Sequence, residues 1–195
     1  VHRRRSGKWD RIWLQTRAIR GSRPAAIMTT PARGANPITH ESTQAPGLRV
    51  AAMVLPLVAT VHVFEEYFGG FVEKMARSVM GVSAAQFWII NATFLAYCLL
   101  AGVLYRRRPL LLLSALALVA INAVIHTVCT VVMFDYNPGV ASALTLYVPL
   151  AVCAFRAALR NGEATRADLK RAGLIGAGLM LVPPISQGVR LLLGI

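Results

Sequence analysis

The sequence predicts an all-α fold, a polytopic transmembrane helix bundle of about five spans. Two observations carry this. The chain is 56% apolar and 15% charged, against roughly a quarter charged in ordinary soluble domains, and its mean hydropathy is +0.56. Its apolar residues also fall into runs near the length of roughly 20 residues that a helix needs to cross a hydrocarbon core of about 30 Å. A chain of 195 residues has room for one such bundle and little else.

Two parts are expected. Residues 1–47 read as a basic, flexible tail, because the stretch 28–47 is rich in Thr, Pro, Ala and Gly. Within the tail, Trp9, Ile12, Trp13, Thr16 and Ile19 line one side of an interfacial helix over 7–20. Met28 offers an alternative start, which would leave residues 1–27 untranslated. Residues 48–195 form the transmembrane domain. Its spans run Leu48–Phe68, Ala84–Tyr105, Pro109–Phe134, Ala141–Leu159 and Ala172–Leu193. Between the first two, Phe71 to Val82 alternates apolar and charged residues with the period of a short helix lying in the headgroup region. Pro56, Pro149 and the Pro183–Pro184 pair remove helix hydrogen bonds and are expected to kink their spans.

Charge sets the topology. Arg106, Arg107 and Arg108 separate the second and third spans, and Arg156, Arg160, Arg166, Lys170 and Arg171 surround the fourth connection. Short basic loops stay in the cytoplasm, which puts the N-terminus inside and the C-terminus outside. The loop Asp135–Val140 has no base and belongs outside. The net charge of +13 therefore points to anionic lipid, and nucleic acid is not an expected partner. Cys98, Cys129 and Cys153 lie in apolar stretches without metal-type spacing, and read as small buried hydrophobes.

Ionisable groups inside the spans cost about 2.5–3.5 kcal/mol near the bilayer centre on insertion scales, so they mark function. His62, Glu65 and Glu66 share one face of the first span: at 100° per residue, Glu65 lies about 60° to one side of His62 and Glu66 about 40° to the other. Asn122 and His126 share a face of the third span. The second span supplies Asn91, and the fifth Gln187 and Arg190. At about 1.5 Å per residue, His62, Asn122, His126, Gln187 and Arg190 fall roughly 20–27 Å from the inner side, and Asn91 about 10 Å below the outer end. Four spans thus place polar groups in one layer.

Two imidazoles and two carboxylates suit a divalent transition metal such as Zn, Fe or Mn, and helix pairs at such spacings build metal sites in bundles. His62, Glu65, Glu66 and His126 are the candidate ligands. Glu65 and Glu66 are also candidate acid–base groups, with Asn91 and Asn122 orienting ligands or substrate. Tyr136, Thr145 and Tyr147 are placed to reach the layer from the fourth span and its loop. Arg190 is placed to neutralise a carboxylate or hold an anionic group. Cys129 is a further soft ligand by type, though packing is the simpler role.

A structural reading stands beside this one: Glu65 and Glu66 at the outer interface, flanked by the aromatic belt residues Phe64, Tyr67 and Phe68.

The residues His62-Val63-Phe64-Glu65-Glu66, with Asn91, Asn122, His126 and the turn Tyr136-Asn137-Pro138-Gly139, resemble the bacterial membrane proteins named for their HXXEE motif. The resemblance covers roughly residues 50 to 155. It implies a bacterial plasma membrane and supports the choice of residues, but the family carries no settled activity. The Glu-Glu…Arg pattern of CAAX-type intramembrane proteases fails, because Gly70 stands where Arg is required. An H-E-x-x-H zincin motif is absent from the sequence.

The function expected is a metal-dependent hydrolase or oxidoreductase acting on a lipid-like or apolar substrate. A proton-coupled carrier using the same His/Glu relay, and a non-catalytic scaffold subunit, are the alternatives. The expected partners are the bilayer, an apolar small molecule and a second copy of the chain in a homo-oligomer.

Overall fold

A computed structural model describes residues 47–78 and 81–193 of the chain. The expected tail, its interfacial helix over 7–20 and the Met28 alternative lie outside the described residues.

The described chain is helical, and five of its helices are long and apolar enough to cross a membrane. We label the helices α1 (Leu48–Phe68), α2 (Phe71–Ala76), α3 (Ala84–Leu104), α4 (Pro109–Met133), α5 (Val140–Arg160) and α6 (Arg166–Leu193). The protein is therefore an integral membrane protein, its long apolar helices suited to a lipid surround. Ile89, Leu99, Val103, Leu174, Leu181 and Leu192 are accordingly exposed along α3 and α6, where water would penalise them and hydrocarbon does not.

Helix α4 is the centre of the bundle. Leu112 to Val119 are all buried, and α3, α5 and α6 pack around them, with α1 against α3 and α5. The core where these helices meet is rich in alanine: Ala51, Ala52 and Ala59 of α1, Ala101 of α3, Ala115 of α4, Ala154 and Ala158 of α5, and Ala172 of α6. With no hydrophobic drive between helices in lipid, close approach through small residues supplies the packing energy. At Gly176 the approach is closest on α6, since a Cβ there would lie 2.8 Å from the Leu118 backbone nitrogen.

The two ends of the bundle differ. At one end the α1 start meets the α5–α6 connection, where Glu163 Oε2 accepts from the Leu48 N–H at 3.1 Å and satisfies an otherwise orphaned helix donor. At the opposite end, Lys74 of α2 donates to Asp135 Oδ2 at 2.8 Å and to the Tyr136 carbonyl at 3.0 Å, which ties α2 to the α4–α5 loop. The pairing with Lys74 holds the Asp135 carboxyl below its usual range.

Departures from the sequence expectations are local. The short helix after α1 ends at Ala76, earlier than the Phe71–Val82 expected, because Ser78 Oγ bonds back to the Met75 carbonyl and a Ser83–Gln86 capping box starts α3 soon after. Val79 and Met80 lie outside the described residues. Helix α6 starts six residues before the expected Ala172, since Thr165 and Asp168 cap each other's backbone amides at 3.0 and 3.2 Å and draw the polar residues Arg166 to Arg171 into the helix.

The proline effects divide. Helix α1 runs unbroken through Pro56, and α6 through Pro183 and Pro184. In α5 the turn before Pro149 opens into a π-helical stretch, Ala143–Tyr147. Pro149 has no N–H for the Thr145 carbonyl and its ring crowds that group, so a wider turn accommodates it. The same stretch aims Tyr147 into the bundle.

Candidate metal centre

Helix α1 carries His62 and Glu66 one turn apart on its buried face, and α4 brings His126 opposite. All three are nearly sealed from solvent, at 2%, 6% and 3% exposure. Glu66 Oε1 stands 3.1 Å from His126 Nε2 and 3.5 Å from His62 Nε2. The imidazole rings meet edge-to-face with centroids 5.0 Å apart. One ligand atom from each residue lies within 4.8 Å of the others.

The remaining imidazole nitrogens are held from the start of α5 and its loop. Ser142 Oγ lies 2.9 Å from His62 Nδ1 and also donates to the Gly139 carbonyl at 3.3 Å. The direction of the Ser142–His62 bond follows the His62 tautomer; when the hydroxyl proton goes to Gly139, Ser142 accepts Nδ1–H and Nε2 is left free to act as a ligand. Among the described residues the buried Nε2 has no hydrogen-bond partner. Asn137, itself buried, brings its amide to 2.8 Å from His126 Nδ1. An amide turned over presents oxygen in place of nitrogen, so Asn137 serves either tautomer. Partners of this kind fix ring orientation in metal sites.

Gly139 lets this loop lie directly on the cluster. Its φ of +97° is left-handed, and a Cβ would meet His126 Cε1 at 2.8 Å, His62 Cε1 at 2.9 Å and Glu66 Cγ at 3.0 Å. From the other side, the ring of Tyr147 packs on His62 at 4.5 Å. Its hydroxyl is buried with no hydrogen-bond partner among the described residues, as is Asn122 Oδ1, one turn before His126.

Glu65 takes a different direction from Glu66. Its Oε1 accepts from Tyr136 Oη at 2.6 Å and from the Ala141 N–H at 3.0 Å, and its Oε2 accepts from the Ser142 N–H at 2.7 Å. It therefore caps the N-terminus of α5 from a neighbouring helix, and it is not one of the three grouped ligands. The bond to Glu65 pushes the Tyr136 hydroxyl up to about 12, keeping its proton in place. Substituting Glu65 by alanine is expected to cost about 1 kcal/mol, the usual value of a lost N-cap, and to loosen Ser142 against His62. Thermal unfolding with and without added metal checks this: stability falls while the metal response weakens but persists.

The other candidates lie apart from the trio's immediate contacts. Asn91 donates to the Phe87 carbonyl of its own helix, and Thr145 to that of Ala141. Gln187 is buried and accepts from Arg190 at 3.4 Å, on a helix that packs along α4. Cys129 is half-buried and stands outside the group. Sequence reasoning missed Ser142, the histidine contact of Asn137 and the two α5 amides. The Asn-Pro-Gly turn was the available signal for Asn137; Ser142 gave none.

No curated protein and no solved structure matches the chain. A family model described as a protein of unknown function with HXXEE motif matches residues 53–154. That stretch holds His62, Glu65 and Glu66 as the motif itself, together with His126, Asn137, Gly139, Ser142 and Tyr147, and stops before α6. The chain belongs to the HXXEE family.

Proposed function

We propose that the protein is a metal-dependent membrane enzyme in which His62, Glu66 and His126 bind one divalent transition metal, Zn, Fe or Mn. The observation that supports this most is the buried Nε2 of His62, without a hydrogen bond among the described residues, 3.5 Å from a carboxylate oxygen that a second Nε2 also faces. A lone pair opposite a carboxylate oxygen is unfavourable unless a cation or proton lies between them. Tetrahedral ligation with bonds of about 2.0–2.1 Å separates ligand atoms by roughly 3.3 Å, close to the 3.1 and 3.5 Å from Glu66 to the two histidines, with all three ligand atoms within 4.8 Å of one another.

Three protein ligands leave a position for water or substrate, the pattern of catalytic rather than structural metals. Two histidines and one carboxylate suit hydrolysis with Zn and oxidation with Fe, so the metal found selects between hydrolase and oxidoreductase. A metal-bound water ionises near neutral pH without a separate base. This fits a Glu65 whose oxygens are already engaged. The site sits among membrane-spanning helices, which favours a lipid-like or apolar substrate, and the family resemblance favours a bacterial plasma membrane.

Elemental analysis of detergent-purified protein tests the proposal. Near-stoichiometric Zn, Fe or Mn is expected in the wild type, falling to background in His62→Ala and His126→Ala. Folded wild type that stays metal-free after reconstitution would refute it. The shared carboxylate would then read as a proton relay, with pH-dependent flux across vesicles as its signature.

A further inference from the structure

A groove lies at the opposite end of the bundle from the histidines. Open and about 560 Å³ in volume, it runs between α3, α4 and α6, within the range of roughly 300–1,000 Å³ typical of ligand sites. Leu110, Leu111, Ile175 and Leu179 line it, together with Arg107 and Arg108. Tyr97 and Ser114 also face it, but their hydroxyls satisfy each other at 2.7 Å, so the rest of the wall behaves as apolar.

The arginines differ in their engagement. Arg106 donates to Tyr105 Oη at 3.0 Å and lies over that ring. Among the described residues, no ion pair involves Arg107 or Arg108. The N-terminus of the 25-residue α4 begins at Pro109, directly beside them, and adds a partial positive charge to the same place. Two guanidiniums without an ion pair among the described residues, lining an otherwise apolar groove, match an amphiphile with an anionic head and a hydrocarbon tail.

We infer that this groove binds one anionic glycerophospholipid, its phosphate held by Arg107 and Arg108 and one acyl chain lying between Leu111 and Leu179. The site is independent of the metal centre. The positive-inside rule places it in the cytoplasmic leaflet, where anionic headgroups are concentrated.

The test uses full-length protein in nanodiscs of phosphatidylcholine titrated with phosphatidylglycerol, released into native mass spectrometry. A single phosphatidylglycerol is expected to stay bound in preference to phosphatidylcholine. Arg107→Gln with Arg108→Gln should weaken its retention roughly thirtyfold, the factor for two near-surface bases. Arg160→Gln with Arg166→Gln removes the same charge at the same end but away from the groove, and should leave retention unchanged. Leu179→Trp fills the channel with both arginines intact and should displace the lipid.

Equal losses in the two double variants would reduce the effect to general surface charge and overturn the site. Lipid retained in Leu179→Trp with an altered oligomeric mass would assign the groove to a second copy of the chain, and would also overturn it.

Discussion

Replacing Glu66 by glutamine is expected to strip the centre of metal while leaving the metal-free protein at least as stable as the wild type. The carboxylate is 6% exposed and faces two imidazoles. Without a cation it is a buried charge with imperfect compensation, and burying such a charge is expensive. Glutamine keeps the shape, removes the charge, and offers an amide N–H to His62 Nε2, which has no hydrogen bond among the described residues.

Metal reverses the order. A ligand that binds the folded state at a hundredfold excess over its Kd adds roughly 2.7 kcal/mol, which the wild type gains and Glu66→Gln does not. Thermal unfolding in detergent, with chelator and then with added Zn, Fe or Mn, reads both halves. The wild-type curve should move up with metal and the variant curve should not. A wild-type protein indifferent to metal, or a variant that responds equally, would remove Glu66 from the ligand set. With the metal response confined to the wild type, its weaker metal-free state is the stability given up for a working site.

How far the sequence shows this arrangement depends on the range of the interaction. The five spans are legible because a long apolar helix has few alternatives in lipid, where every backbone N–H and C=O must be paired internally. The trio His62, Glu66 and His126 is legible as a set because helical phase and axial depth are both local arithmetic. The same arithmetic cannot separate Glu65 from Glu66, which lie about 60° and 40° from His62. What separates them is the N-terminus of α5, whose Ala141 and Ser142 amides take Glu65 away. That depends on a residue pair 77 positions apart. Ser142 was likewise hidden, because its approach to His62 follows from the turn at Gly139 and the π-helical stretch after it. Asn91 shows the limit of depth alone: the residue occupies a plausible layer, but its side chain bonds within its own helix.

Gly139→Ala should be the most damaging change outside the ligands, and a paired control separates its two causes. Any non-glycine residue in left-handed backbone costs about 1–2 kcal/mol. Gly162, with φ +69° and nothing within 4 Å of a Cβ, would bear that cost alone. Gly139 bears it too, and its Cβ would also press on His126, His62 and Glu66 at 2.8–3.0 Å. These contacts involve rings packed on both sides and the stem of a buried glutamate, so none is free to swing away; overpacking of this kind costs about 1–3 kcal/mol more. Gly162→Ala should therefore show a modest fall in thermal stability with full metal content. Gly139→Ala should show a fall of roughly 2–5 kcal/mol together with loss of metal, since the only relief is to move the loop, and the loop carries Asn137 and Ser142 off the two histidines. If Gly139→Ala kept its metal and matched Gly162→Ala in stability, the loop would not be packed on the cluster. If it lost metal while unfolding no earlier than Gly162→Ala, the loop would be positioning the ligands without contributing to the fold.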